Sequence, residues 1–405
     1  MSLLPRNHLH WVPATVLACI ALSACGGGGS DDTTPSPVAT SASAPLGAAA
    51  PTAPTAPTVR ATDGPAPVEV PPSEPAPVTE PERAPAPVPV PGPAPGLLTA
   101  FDGTESLQGT PDGQSERLLG VQPTPLLSGP VPVSAPDIDP GGMTIQYQGG
   151  TDAERWARII EEPGVPGNRV LAFKLMSANV PNAAGIADKG RVQLNAYDVN
   201  QIRAKEVRFK TRVFLTPDFA LLRQMPAALS WLTISEWWNN PTWTGQDHPF
   251  RITVNVVKPS SAPGSALNFS VKAQTADPST LEWHAALWTE VNSAIQVPVG
   301  QWVTLEYAFL EGDASTGRFY LAMTPDGGVR QVIFDVRNFT HHPQDPAPDG
   351  ITHINPAKLY TAKSTIDFVT QRGGALQVFW DDMSFRLCRE RSDENTSACA
   401  PLSFD

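Results

Sequence analysis

The sequence has few cysteines and no cluster of positive charge. Only four cysteines occur among 405 residues, and the formal net charge is −12. Because no Lys/Arg-rich run interrupts this acidic balance, nucleic acid is not an expected partner. The strings Gly-x-Ser-x-Gly and His-Glu-x-x-His and a glycine-rich phosphate loop are also absent. Serine-hydrolase, zinc-protease and nucleotide chemistry therefore lack support.

The N-terminal segment, residues 1–24, has the pattern of a signal peptide. Arg6 precedes an apolar stretch at residues 11–21 that is too short to span a bilayer. The segment ends in Leu22-Ser23-Ala24, and Cys25 follows. These four residues resemble the lipobox of bacterial lipoproteins. The resemblance implies export and lipidation of Cys25, and Gly26 after it implies sorting to the outer membrane, with the lipid as the sole membrane contact. A secretory signal with a chance cysteine is the alternative.

Residues 25–97 are rich in proline and alanine. Between positions 31 and 97 lie 19 of the chain's 45 prolines, after a glycine-rich tether. This composition favours extended polyproline II and offers no apolar face to bury. We predict a disordered stalk that carries the rest of the chain.

Residues 98–405 have the pattern of a single all-β domain. Alternating strands are predicted at Glu206–Leu215, Phe250–Val257, Leu267–Gln274, Trp302–Leu310, Arg318–Met323, Gln331–Val336 and Ala375–Leu387. Only Asp152–Glu162 and Asp218–Leu222 suggest helix. Long half-polar strands separated by turns favour a two-sheet jelly-roll sandwich. We expect a monomer with a disulfide between Cys388 and Cys399, which flank a polar loop in an exported chain.

The order of several short motifs resembles a concanavalin-A-like jelly roll, as in polysaccharide lyases and laminin-G-like lectins. The motifs include Gly300-Gln301-Trp302 and the late Lys358-Leu359-Tyr360. In alginate-lyase-like enzymes, three strands carry catalysis. Arg191-Val192-Gln193 is similar to the first and implies that Arg191 neutralises a uronate, and Tyr360 would be the acid/base of the third. Ser235-Glu236-Trp237 stands where the second is expected, with Glu236 in place of a glutamine.

Glu236, Arg251 and Tyr360 are the main catalytic candidates, and Arg191 and His248 are second choices. An aromatic setting is expected to desolvate Glu236 and raise its pKa. A simple cross-strand ion pair between Glu236 and Arg251 is the alternative. Glycoside hydrolysis would need a second carboxylate, which Glu306 could supply if its strand lay beside that of Glu236.

A tryptophan cluster predicts a sugar-binding platform. Its expected members are Trp231, Trp237, Trp238, Asn239 and Trp243. Aromatic faces stack on sugar rings while neighbouring amides bind hydroxyl groups. In a regular strand, Trp231 and Trp237 share one face, and Glu236 and Trp238 share the other. The alternative is that these tryptophans pack in the core of the sandwich and anchor a loop.

Three basic residues, Arg208, Lys210 and Arg212, alternate along one predicted strand. They form either the floor of a groove for an acidic glycan or a solvated outer face.

Asp381 and Asp382, with Asp102 near the domain start, could hold a structural Ca²⁺. No other cofactor is expected, and His341, His342 and His353 are interpreted as loop polar groups.

Together these features predict a surface-anchored protein that acts on a polysaccharide or cell-surface glycan. Lyase action on an acidic polysaccharide is the first hypothesis. A glycoside hydrolase, a non-catalytic carbohydrate-binding or adhesin module and a structural envelope lipoprotein are the alternatives.

Overall fold

Two antiparallel sheets pack face to face. The computed structural model describes residues 97–101, 103, 105–110, 113–119, 122–123, 143–196, 203–239, 249–277, 279–280, 282–388 and 391. These residues belong to one compact unit. The predicted signal peptide, Cys25 and almost all of the predicted stalk lie outside them. The predicted all-β two-sheet sandwich is confirmed.

The strands are numbered in chain order over the described residues. They are β1 (Leu97–Phe101), β2 (Ser106–Gly109), β3 (Ser115–Leu119), β4 (Gln122–Pro123), β5 (Met143–Gln146), β6 (Arg155–Glu161), β7 (Arg169–Leu175), β8 (Val180–Pro181), β9 (Ala187–Ala196), β10 (Glu206–Leu215), β11 (Thr233–Asn239), β12 (Phe250–Val257), β13 (Asn268–Ala276), β14 (Trp283–Gln296), β15 (Trp302–Leu310), β16 (Arg318–Pro325), β17 (Gln331–Arg337), β18 (His353–Asn355), β19 (Lys358–Ala362) and β20 (Leu376–Cys388).

The first sheet has the order β17-β16-β15-β10-β20-β1-β4, with β7 on β20 and β6 on β7. The second has the order β14-β13-β12-β11-β18-β9-β5-β3-β2. In the second sheet, β19 pairs with both β11 and β9, and β8 pairs with β9. The second sheet carries the candidate site.

The core lies between the sheets because each central strand turns its apolar alternate residues inward. On β10, Val207, Phe209 and Val213 are buried in this core. From the second sheet, the Trp237 ring lies 4.9 Å from the Tyr307 ring and 5.2 Å from the Phe319 ring, both in the first sheet. These contacts between sheets fix the orientation of β11.

Helix is confined to short segments of the described chain. Pro217–Gln224 is a 3-10 helix, close to the helix predicted at Asp218–Leu222. The helix predicted over Asp152–Glu162 is wrong, because this segment forms strand β6 and pairs along its whole length with β7. The helix α1 (Lys363–Thr370) was not predicted. None of the helices in the described part is long and apolar enough to cross a membrane.

A β-bulge in β11 sets which residues reach the outer face of the second sheet. The register with β12 shifts between Thr233 and Ser235. Ile234 joins the core, and the Ser235 hydroxyl lies 3.4 Å from that of Tyr307, so both point inward. A bulge places two residues against one on the partner strand. Regular alternation then returns, with Glu236 and Trp238 outward and Trp237 inward.

Candidate functional site

The outer face of the second sheet is polar over its central strands. Alternate residues of six adjacent strands bring together charged, amide and aromatic side chains that face away from the core. The set comprises Arg191, Gln193, Asn195, Glu236, Trp238, Arg251, Thr253, Asn255, Lys272, Gln274, His353, Asn355, Lys358 and Tyr360. We call this set the polar face.

A buried ionic cluster lies at the centre of the polar face. Glu236 on β11 is 1% exposed and bonds Lys358 of β19 through Oε2. Its Oε1 lies 3.2 Å from Nη1 of Arg251 on β12. Both carboxylate oxygens therefore have a cationic partner, and three strands are joined through one side chain.

The charges around Glu236 keep it ionised. Burial opposes ionisation, but the positive charges of Lys358, Arg251 and Arg191 outweigh it and hold the pKa of Glu236 below its ordinary value. The prediction that desolvation would raise this pKa is wrong, since the sequence did not show how many cations surround the carboxylate. The expected Glu236–Arg251 cross-strand pair is present, but it is buried and shared with Lys358.

Lys358 and Tyr360 lie two residues apart on the same face of β19, with the Lys358 Nζ 5.2 Å from the centre of the Tyr360 ring. Burial lowers the pKa of Lys358 to about 8, with Arg191 and Arg251 adding to the effect and Glu236 opposing it. Burial raises the pKa of Tyr360, against the influence of the two arginines. Environments that separate two titratable groups in this way are typical of an acid and a base acting together.

An amide and imidazole network extends from this cluster toward β9. Asn355 Nδ2 donates to Asn195 Oδ1 at 2.6 Å and lies 3.0 Å from Nε2 of His353. Gln193 Nε2 donates to the same Asn195 oxygen at 2.8 Å. The buried Oε1 of Gln193 accepts no hydrogen bond from any residue that the structure describes.

Most of the accessible side chains on and beside the polar face are aromatic or basic. Arg251 is partly exposed, and its guanidinium lies 3.9 Å from the centre of the Trp283 ring. The partly exposed rings of Trp231 and Tyr360 lie 4.9 Å apart. Trp238 is nearly buried and donates through Nε1 to Asn355 Oδ1 at 3.1 Å. A ligand would meet these aromatic rings and Arg251 before the buried Glu236 and Lys358.

The predicted tryptophan platform is divided between two faces. Trp237 is core, and Asn239 is fully buried with its amide donating to Glu311 and to the Gly350 carbonyl. These two residues cannot contact a sugar, and their assignment to the platform is wrong. Trp231 and Trp238 are at the polar face. Trp243 and the second-choice catalytic candidate His248 lie outside the described residues.

The three alternating basic residues of β10 lie on the outer face of the other sheet. Arg208 pairs with Glu206 at 2.7 Å. Arg212 pairs with Asp326 at 2.8 Å and with Asp381 at 3.2 Å. Because this sheet and the polar face are separated by the core, these residues are not part of one groove with Glu236. Of the three, Arg208 is buried, Arg212 is partly exposed and Lys210 is exposed.

Among the described residues, carboxylates do not assemble into a metal site or into the hydrolase pair that the sequence suggested. Asp381 accepts from Arg212 and from Asn168, while Asp382 is exposed and Asp102 lies outside the described residues. Within the described part of the chain, no group of three His, Cys, Asp or Glu side chains could hold a metal ion. Glu306 is on β15 of the first sheet and pairs with Arg330, so it does not face Glu236.

Several residues on or beside the polar face were missed or misassigned from the sequence. Lys358 was noted only as part of a motif, and His353 was assigned to a loop. Asn195, Asn355 and Trp283 were not singled out. Their signal is alternation: on β9, polar Arg191, Gln193 and Asn195 alternate with apolar Val192 and Leu194. Asn355 and His353 carry no such pattern because β18 is only three residues long.

Comparisons with known proteins give distant likenesses in fold. No family model and no curated protein matches the chain. A marine alginate lyase from Aplysia kurodai is 6% identical over 60% of this chain and 90% of its own, with a TM-score of 0.39. A glucuronan lyase from Trichoderma reesei is 12% identical over 57% and 87%, with a TM-score of 0.33. A β-glucanase catalytic domain from Podospora anserina is 14% identical over 59% and 84%, with a TM-score of 0.28. At these values the likenesses assign neither a family nor an activity.

Proposed function

We propose that the polar face binds an acidic polysaccharide and cleaves it by β-elimination beside a uronate residue. The observation that carries the proposal is the Lys358–Tyr360 pair, placed between the cations Arg191 and Arg251. A base and an acid with separated pKa values stand on one strand, in a field of positive charge. β-Elimination needs a neutralised carboxylate, a base for the C5 proton and an acid for the leaving oxygen.

Each requirement has a candidate. Arg191 and Arg251 neutralise the uronate carboxylate, which makes the C5 proton more acidic and stabilises the enolate that forms. The neutral amine of Lys358 takes the C5 proton, and the C4–O4 bond breaks as the phenol of Tyr360 donates its proton to O4. A C4–C5 double bond results. Lys358 then carries the extra proton and Tyr360 lacks one, and transfer between them restores both groups.

Glu236 does not prevent this chemistry. A free carboxylate beside a uronate would repel the substrate. Here two cations occupy its oxygens, so the cluster of Arg191, Arg251 and Lys358 around one carboxylate remains positive at neutral pH.

A panel of uronate polysaccharides tests the proposal. Alginate, glucuronan and polygalacturonate are incubated with the protein, with a neutral glucan as control, and the ultraviolet absorbance of the new double bond is followed. We expect one or more uronate substrates to react, with kcat/KM rising as the pH rises through about 8, because Lys358 must lose its proton. No absorbance change with any of them would contradict lyase action.

Non-catalytic binding of an acidic glycan is the second candidate. The near-complete burial of Glu236 and Lys358 favours it, since a buried ion pair can fix the fold of a binding face without touching the ligand. Retarded migration of the protein in gels containing the same polysaccharides, without new absorbance, would identify this function.

We further propose that the protein is exported and anchored through a lipid on Cys25. The support is the sequence Leu22-Ser23-Ala24-Cys25 and the proline-rich segment that follows it. Such an arrangement would hold the β-domain away from the membrane and within reach of an extended glycan.

A further inference from the structure

We propose that Glu236 is a positioning residue: its carboxylate holds the Lys358 side chain in place and sets the pH at which Lys358 becomes a base. The inference rests on the proposed function and assigns to Glu236 a role other than proton transfer.

The contacts of Glu236 exclude direct acid catalysis by its carboxyl group. One oxygen is bonded to Lys358 and the other lies 3.2 Å from Arg251. Each oxygen is therefore occupied by a cationic partner, and a substrate could reach it only by displacing Lys358 or Arg251. A group held in its ionised form also has no proton to donate.

The same contacts fix the Lys358 amine. Its Nζ is bonded to Glu236 and lies 3.4 Å from Oδ1 of Asn355, the oxygen that also accepts from Trp238 Nε1. Because its Nζ contacts both Glu236 and Asn355, the flexible Lys358 side chain is restrained beside the Tyr360 ring. Such restraint reduces the conformational freedom that the reaction must otherwise remove.

The charge balance around Lys358 comes from every strand that packs against it. Glu236 on β11 favours the ammonium form, whereas Arg251 on β12 and Arg191 on β9 disfavour it. Tyr360 lies on β19 itself, and His353 of β18 is joined to the cluster through Asn355. Glu236 supplies the negative charge that raises the pKa of Lys358 against the lowering effects of burial and of the two arginines. Without it, Lys358 would lose its proton at a lower pH.

The test compares the full-length wild type with Glu236→Gln and Glu236→Asp. The pKa of Lys358 is measured by NMR on lysine-labelled protein, with its signal assigned from Lys358→Arg, and circular dichroism checks the fold. We expect Glu236→Gln to lower the Lys358 pKa by about 1–3 units, and Glu236→Asp to lower it by a smaller but measurable amount, because the shorter side chain keeps the charge at a greater distance from Nζ. The rise of kcat/KM with pH should move down by the same amount. If Glu236 had a purely structural role, its substitution would reduce activity without shifting the pH at which kcat/KM rises.

The outcomes separate the two proposals. An unchanged Lys358 pKa in folded Glu236→Gln would overturn the inference, whether or not the protein is a lyase. A lowered pKa in a protein that cleaves no uronate polysaccharide would support control of Lys358 by Glu236 and contradict the proposed function. If Glu236→Gln fails to fold, the pKa in Glu236→Asp decides: a value differing from wild type supports the coupling, and an identical value together with an unshifted pH profile opposes it.

Discussion

Trp237 and Trp238 are consecutive in the chain and have different surroundings. The Trp237 ring fills space between the sheets against Tyr307 and Phe319, whereas Trp238 lies on the polar face against Trp283. Removing a large ring from a packed core leaves a cavity that the surroundings fill only partly. The consequences of substitution should therefore differ between core and polar-face tryptophans.

We predict that Trp237→Ala lowers the free energy of unfolding by about 3–5 kcal/mol. Trp231→Ala is the matched control, because Trp231 is partly exposed and packs on Tyr360 at the polar face. It should cost much less stability and weaken glycan binding instead. Denaturant unfolding and affinity electrophoresis measure the two effects. Equal loss of stability in both variants would contradict the assignment of faces.

Tyr360→Phe removes only the hydroxyl group and keeps the ring that contacts Trp231. If Tyr360 protonates the leaving oxygen, kcat should fall ~100-fold or more with little change in KM. Initial rates on the substrate identified by the panel measure this. The same substitution at Tyr320, which lies on the first sheet, serves as a control and should leave the rate near that of wild type. Undiminished turnover by Tyr360→Phe would place the acid elsewhere.

At the scale of elements, the sequence predicted seven strands close to their observed bounds but missed others, including β14, which at 14 residues is the longest described strand. The prediction Glu206–Leu215 matches β10 because its apolar and basic residues alternate over ten positions. The segment Arg155–Glu161 has too little alternation to reveal its pairing with β7, and α1 contains β-branched Thr365, Ile366 and Val369, which are poor helix formers. The pairing of β6 with β7 and the packing of α1, which are not visible in the local sequence, determine these two structures.

The residues of the candidate site were likewise predicted only in part, because some of their contacts depend on tertiary structure. Arg191, Glu236, Arg251 and Tyr360 were all singled out from the sequence, and the structure brings them onto one face. Trp237 was misplaced because the strand's orientation depends on contacts across the core. The surroundings of Glu236 could not be predicted either, since Lys358 lies 122 positions away and reaches it only through the pairing of β19.

The loop after β15 contains a carboxyl group whose titration should affect stability. Glu311 accepts hydrogen bonds from the Gly350 amide at 2.9 Å and from Asn239 at 3.0 Å. Burial, with smaller contributions from Asp349 and Asp345, raises the pKa of Glu311 to about 7, against the Gly350 hydrogen bond and Lys205. The folded state therefore binds a proton that the unfolded state releases near pH 4.5.

A folded-state pKa above the unfolded value means that stability is present below pH 4.5 and is lost as the pH rises toward about 7. We predict that the free energy of unfolding falls over this window by up to about 3 kcal/mol and that Glu311→Gln removes the decline. Denaturant unfolding at several pH values measures it. Glu306→Gln is the control, because that carboxylate is partly exposed on the outer face of the first sheet. A decline that persists in Glu311→Gln would assign the titration to another group.

The whole molecule combines an acidic chain with a locally basic site. The net charge is −12, yet Arg191, Arg251 and Lys358 converge on a single carboxylate. If the polar face binds a polyanion as proposed, this local positive charge would favour binding there over diffuse adsorption to an otherwise acidic chain. Export and anchoring would bring that face to extracellular glycans, and this makes the N-terminal segment testable together with the site.

We predict that the mature chain is held in the membrane fraction by a lipid on Cys25. Labelled palmitate should be incorporated into the wild type and not into Cys25→Ser, and globomycin should cause the unprocessed precursor to accumulate. Cys19→Ser is the matched control: Cys19 belongs to the predicted signal peptide, so this variant should be labelled normally. Because Leu22-Ser23-Ala24 would be recognised only with a cysteine following, Cys25→Ser should remain unprocessed by the lipoprotein peptidase. Unlabelled wild-type protein, cleaved after residue 24 or released as a soluble form, would show an ordinary secretory signal instead.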